Sequence, residues 1–134
     1  MGSVMKTLAE KLGWREGMRA LLLGEVPQVA EPLGLASPPD GDVPPDLILG
    51  FVYRASEVPP LAAAAVRVYR DGARLWLAYP KKSGAIRTDV TRDIGWDCLA
   101  EYGLLPVTQI SLDGTWSALR FRRRHEIPRL TRKV

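Results

Sequence analysis

Residues 46–79, DLILGFVYRASEVPPLAAAAVRVYRDGARLWLAY, hold two short apolar runs separated by an alanine-rich stretch. Asp46–Tyr53 and Ala73–Tyr79 are apolar on both faces, the pattern of strands buried between two layers. Between them Ser56 stands where a helix N-cap belongs, with Glu57 at the positive end of the helix dipole. Pro59 and Pro60 suit a first turn, because its amides have no intrahelical partner. The helix then runs through LAAAAVRVY and stops at Gly72. Strand, helix, strand is the unit that builds a parallel sheet through a right-handed crossover.

Working outward, Lys6 to Leu12 reads as a short helix stopped by Gly13. Met18–Leu23, between Gly17 and Gly24, reads as another buried strand. Val29–Leu35 suggests a brief helix, and residues 36–45 (ASPPDGDVPP) form a proline-rich loop. Downstream, a polar loop leads to a helix from about Thr91 to Tyr102, with Gly103 as its C-terminal cap. Pro106–Leu112 and Thr115–Phe121 are the last two strands. Asp113-Gly114 between them predicts a two-residue type I′ turn, with positive φ at both positions. The expected fold is α/β: three layers around a mostly parallel, Rossmann-like sheet that ends in an antiparallel hairpin. One domain spans residues 1–134, with its core at about 6–122 and a basic C-terminal segment at 122–134.

Composition narrows the function classes. At 46% hydrophobic and 25% charged residues, the chain has the material for a folded core. No apolar run reaches the 18 or more residues of a membrane span, so no membrane partner is expected. A lone cysteine, Cys98, forbids an internal disulfide and points to a reducing, cytoplasmic setting. A single histidine, His125, leaves little for a zinc site, and no metal is expected. The net charge of +4 conceals an asymmetry: residues 120–134 carry seven of the 19 basic groups and one acid, while the remainder is net negative.

Two stretches carry a family likeness. DLILGFVY, followed by a helix and DGARLWLAYPK, resembles the middle of class I methyltransferases, and the closing hairpin matches the antiparallel pair that ends that fold. The likeness covers about residues 18–122 and implies a truncated sheet, with the second and third strands of the fold replaced by the proline-rich loop. More closely, GWREGMRALLLGEVP, WLAYPKKSGAIRTDVTRDIGW and ISLDGTWSALRFR resemble a small bacterial family of uncharacterised Rossmann-like proteins. That resemblance implies a fold and no reaction. The cofactor loop of methyltransferases and of dinucleotide folds needs closely spaced glycines after the first strand. Here Gly24-Glu25-Val26-Pro27 offers one glycine, so neither S-adenosylmethionine nor a dinucleotide is expected to bind there, and no cofactor is expected.

The best site candidate is the loop after the third strand, residues 80–93. Ligands of open α/β sheets sit beyond the carboxyl ends of the strands. Lys81, Lys82, Ser83, Arg87, Thr88 and Arg92 supply cationic and hydroxyl donors, and Gly84 permits close approach. A helix starting near Thr91 adds partial positive charge. These parts suit a phosphate or carboxylate, and the bland counterpart is a solvated loop whose bases pair with Asp89 and Asp93. Elsewhere, turn chemistry accounts for Asp113, and Cys98 reads as a packed thiol. His125 is the only partner for a nucleophilic triad, and Asp40 and Asp42 read as a turn.

The leading function is therefore a small domain that binds an anionic small molecule or partner at residues 80–93. One alternative is an enzyme on a phosphorylated or carboxylate substrate, with Lys81 or Lys82 stabilising charge and Asp89 or Asp93 as general base. Another is a nucleic-acid or protein adaptor using the basic C-terminus. Against nucleic acid, the tail lacks stacking aromatics. Arg120, Arg122 and Arg124 alternate along the final strand and also read as charge guarding a sheet edge.

Overall fold

The computed structural model describes residues 11–13, 18–24, 45–82, 84, 86–91 and 95–127. Five strands form one sheet: β1 (Ala20–Gly24), β2 (Leu47–Phe51), β3 (Arg74–Pro80), β4 (Leu104–Ser111) and β5 (Trp116–Arg123). Their spatial order is β1-β2-β3-β5-β4. β1, β2 and β3 are parallel, with Leu49 beside both Leu22 and Trp76. β5 runs antiparallel to both β3 and β4, Ala118 facing Ala78 on one side and Ile110 on the other. The alternation of elements predicts this α/β sheet with its closing antiparallel hairpin, and its truncated, methyltransferase-like form is the one that the resemblance implies. Among the described residues, no helix is long and apolar enough to cross a membrane.

Helix α1 (Val58–Val68) and the short α2 (Asp97–Glu101) cover one face. There Val58, Ala62 and Ala65 of α1 and Leu99 of α2 pack on Ile48, Leu75, Leu77, Leu119 and Phe121. The small alanines bring α1 close to the sheet, and Gly50 completes the fit, since a Cβ there would lie 2.6 Å from Leu61 Cδ2. The other face buries Leu47, Leu49, Phe51, Trp76, Trp116 and Ala118 under Leu12. Trp76 Nε1 donates to the Leu12 carbonyl at 2.7 Å, satisfying a buried donor and fixing the Lys11–Gly13 segment. Two opposed apolar faces on every central strand explain why these runs lack polar alternation.

Several expectations need correction. Ser56 is not the N-cap: Ala55–Glu57 form a 3₁₀ turn, and α1 starts at Val58. The entry is held instead by Glu57 Oε1, which accepts the Tyr53 N–H, and by Asp89 Oδ1, which accepts the Ala55 N–H. α2 begins at Asp97 rather than near Thr91. Gly95 has φ +110°, a left-handed value that ends any helical run from Thr91, and the Thr91 carbonyl accepts from Trp96 Nε1. Gly103, at φ +77°, does terminate α2. The hairpin is not type I′, because neither Asp113 nor Gly114 has positive φ. The connection is longer, and Asp113 Oδ1 accepts both the Thr115 and Trp116 N–H groups, at 2.8 and 2.7 Å. The Lys6–Leu12 helix before Lys11, the Val29–Leu35 helix and the proline-rich loop before Pro45 lie outside the described residues.

The turn therefore depends on the aspartate and not on the glycine. A Cβ on Gly114 meets nothing within 4 Å, so Gly114→Ala should leave the unfolding midpoint nearly unchanged. Asp113→Ala removes the acceptor of two amides and should cost about 1 kcal/mol. Denaturant titration of the two variants checks this, and a larger loss in Gly114→Ala would refute the assignment.

Candidate functional site

The parallel strands end side by side at Gly24, Phe51 and Pro80, and the loop from Lys81 leaves from the last of these. The Lys81 amide donates to the Thr115 carbonyl at 2.7 Å, and its Nζ donates to Ser111 Oγ at 2.6 Å. Lys81 is thus laid against the β4–β5 hairpin. The Gly84 amide returns to the Lys81 carbonyl, closing a turn. At the far end Val90 is buried against the α1 face, and its amide donates to Thr88 Oγ1. Lys82 and Arg87, between these anchors, are exposed.

The candidate residues therefore separate. Lys81 and Thr88 are engaged within the protein, whereas Lys82 and Arg87 have no ion pair among the described residues. Asp89 forms no ion pair with either base among the described residues, and its Oδ1 accepts the Ala55 amide. Ser83, Arg92 and Asp93 lie outside the described residues. The helix dipole expected near Thr91 is withdrawn from the loop, since α2 starts at Asp97.

Two aromatic groups that the sequence reading missed lie at this end of the sheet, one on each face. Trp116 meets Phe51 and Tyr53 edge to face, with centroids 5.4 and 4.9 Å apart. Tyr79 packs on Trp96, and its hydroxyl accepts from Gln109 Nε2 at 2.7 Å. The available signal was position: each of Phe51, Tyr53, Tyr79 and Trp116 falls at the end of a strand.

The remaining candidates resolve into structure. Asp113 is occupied by its turn. Cys98 is half-buried, and that burial pushes its thiol upward, away from the reactive thiolate. His125 Nε2 pairs with Asp71 Oδ2, and among the described residues no hydroxyl nucleophile is bonded to it. Asp40 and Asp42 lie outside the described residues. No group of three metal-ligating side chains occurs among those described.

A second polar cluster, also missed, ties the start of the basic segment to the amino end of β3. Glu126 accepts from the Tyr69 hydroxyl, from the Gly72 amide at 2.9 Å and from the Arg123 amide at 3.0 Å. Arg123 lies over the Tyr69 ring and reaches Asp71. Burial and the Glu126 carboxylate push the Tyr69 phenol far upward, so it stays protonated. Burial also works to raise Glu126, but its three hydrogen bonds outweigh that and hold it below the ordinary carboxylate value. His125 does the same for Asp71. An adjoining open cleft of about 320 Å³, lined by Pro45, Asp46 and Arg70 to Ala73, has its carboxylates already engaged.

No protein-family model and no curated protein sequence matches this chain. Among solved structures, it is similar to a cysteine-to-alanine variant of LepI in complex with SAH and a substrate analogue, with a TM-score of 0.50 and 14% identity over 87% of this chain. The LepI complex with SAM aligns over the same share, with a TM-score of 0.47 and 16% identity. The chain spans 39% of the length of these neighbours. At such identity the likeness shows the fold alone, a Rossmann-like sheet of the methyltransferase kind. The loop after β1, from residue 25 to 44, lies outside the described residues. Gly24 has φ +83°, and a Cβ on it would stand 2.4 Å from the Phe51 carbonyl oxygen, so strand packing already requires the glycine.

With one glycine in the sequence Gly24-Glu25-Val26-Pro27, calorimetry is expected to detect no micromolar binding of SAM or of a dinucleotide, and a clear isotherm for either would contradict this. A second expectation concerns pH. Because Glu126 is held below its ordinary value of 4.5, the unfolded chain binds more protons than the folded one in that range. Its stabilisation is complete above pH 4.5 and is lost as the pH falls through the lowered folded value. Glu126→Gln should flatten part of the acid limb of stability, read by denaturant titration across that range.

Proposed function

We propose that this domain binds an anionic small molecule, a phosphate or a carboxylate, beyond the carboxyl ends of β1, β2 and β3, using the loop at residues 80–93. One observation carries the reading. Asp89 is committed to the Ala55 amide, which leaves Lys82 and Arg87 without a carboxylate among the described residues. Of the two acids that sequence places beside these bases, Asp89 forms no ion pair with either, and Asp93 lies outside the described residues. Lys82 and Arg87 make first contact with the ligand in this reading, with Ser83 and Arg92 as further donors. Lys81 and Thr88 shape the loop through their own hydrogen bonds.

The reading also keeps the chain with the small bacterial Rossmann-like family that its GWREG, WLAYPKKSG and ISLDGTW segments resemble. An enzyme acting on a phosphorylated or carboxylate substrate is less well supported, because Lys81 and Asp89 each have a structural partner. A reducing, cytoplasmic setting is part of the proposal, in keeping with the single cysteine.

The test is thermal unfolding in millimolar phosphate and in a small dicarboxylate. Ligand bound only to the native state raises stability by mass action. The wild-type midpoint should rise, and Lys82→Ala combined with Arg87→Ala should lose most of that rise while leaving the ligand-free stability within about 0.5 kcal/mol. A rise that survives the double change, or none in the wild type, would reduce the loop to structure.

A further inference from the structure

Three arginines stand in a row on the sheet face opposite α1. Arg74 opens β3, and Arg120 and Arg122 lie near the carboxyl end of β5. β3 and β5 are adjacent and antiparallel, with Trp76 opposite Arg120 and Leu75 opposite Phe121. Continued by one step, the register sets Arg74 opposite Arg122. Alternation along each strand turns all three toward the face that buries Trp76 and Ala118. Residues directly opposite are about 5 Å apart at Cβ, and positions two apart along a strand about 7 Å. Three cations thus occupy a patch barely wider than one strand pair.

Among the described residues the row has no ion-pair partner. The side chains of Arg74 and Arg120 have no hydrogen bond or ion pair among the described residues, and the Arg122 guanidinium donates only to the backbone carbonyl of Glu126, at 2.7 Å. All three side chains are half-buried, and the Nε atoms of Arg120 and Arg122 are buried with no acceptor. Burial, followed by the nearby charges of Arg122 and Arg74, lowers the pKa of Arg120. Acids do exist at this end of the sheet, but they serve the other face. Asp71 pairs with His125 and Arg123, and Glu126 holds Tyr69 and two backbone amides.

Edge protection does not account for the row either. β5 lies between β3 and β4, so the alternating arginines are interior, and Arg124 leaves the strand for the 3₁₀ turn Arg124–Glu126. The outer strand β4 carries its own devices, Pro106 and a register shift at Val107. Like charges set opposite each other in a sheet are destabilising, and a buried donor without an acceptor costs more.

We propose that Arg74, Arg120 and Arg122 form a second anion site, which takes a small ligand carrying two or more phosphate groups. Guanidinium groups meet phosphate oxygens through paired N–H donors, and a diphosphate supplies acceptors for the two orphaned Nε atoms as well as charge for all three groups. The row is recessed. A Cβ on Gly13 would come within 2.4 Å of Arg74 Nε, so the backbone of that turn rests on the Arg74 side chain. Recession favours a small ligand over a polymer. So does the burial of Trp76 and Trp116, the described tryptophans of this face, which keeps their rings from a nucleic-acid base. The site lies at the amino end of β3, roughly 20 Å along the strand from the loop after Pro80, and is independent of the function proposed for that loop.

The experiment is calorimetric titration of the full chain with inorganic pyrophosphate, monophosphate and a single-stranded oligonucleotide. Variants are Arg120→Gln, Arg74→Gln, Arg120→Lys and the loop double variant Lys82→Ala with Arg87→Ala. Wild type should bind pyrophosphate more tightly than monophosphate. Each glutamine variant should weaken pyrophosphate binding by roughly tenfold or more, and Arg120→Lys by less, because charge survives without the fork. Without ligand, Arg120→Gln should melt no lower than wild type, since it relieves repulsion. Arg120→Lys separates loss of the fork from loss of charge. Pyrophosphate binding that persists in the arginine variants but vanishes in the loop variant would overturn this site and leave the anion at the loop. A marked loss of ligand-free stability in Arg120→Gln would show an internal partner and overturn it too. Oligonucleotide binding tighter than pyrophosphate and lost in the same variants would replace the small ligand by a polymer.

Discussion

β3 is hydrogen-bonded along both edges and buried on both faces, and the other elements take their places from it. Its residues Leu75, Leu77 and Tyr79 face α1 and α2, while Trp76 and Ala78 face Leu12 and Trp116. Parallel pairing with β2 sets the carboxyl ends of β1, β2 and β3 together. Antiparallel pairing with β5 brings the start of the basic C-terminal segment into the middle of the sheet. The opening at one end and the arginine row at the other are both consequences of what flanks this strand.

Much of this was legible in sequence. The apolar runs around Leu47–Phe51 and Leu75–Tyr79 are continuous because both faces are covered, and the intervening alanines need little space over the sheet. The parts that were not legible share a physical cause. Ser56 and Asp113-Gly114 have the residue types of a cap and a tight turn, but local type does not report which amide a carboxylate reaches. Asp89, 34 positions from Ala55, supplies the cap instead. Gly95 lies inside the window expected to be helical from Thr91, and its positive φ, which residue type alone does not report, places the helix at Asp97–Glu101.

The candidate site was legible as a composition and not as a network. Lysines, arginines and hydroxyls after the third strand pointed to the loop, but pattern alone could not separate Lys81 and Thr88, which bond internally, from Lys82 and Arg87. The same limit applied to the alternating arginines. On an edge strand, Arg120 and Arg122 would guard against pairing with another chain. Only the spatial order β3-β5-β4 removes that explanation, and it cannot be read from spacing.

The two faces of β5 show what that order does to the charge of this segment. Arg123 faces α1 and finds an aromatic ring, a carboxylate and a fixed turn within reach. Its neighbours Arg120 and Arg122 face the opposite way and find Arg74. A strand that alternates the two environments cannot give all its arginines the same acids, because Glu126 and Asp71 sit on one side of the sheet. On the other side no carboxylate among the described residues forms an ion pair with these arginines, and burial of two Nε atoms takes solvent away from part of their charge.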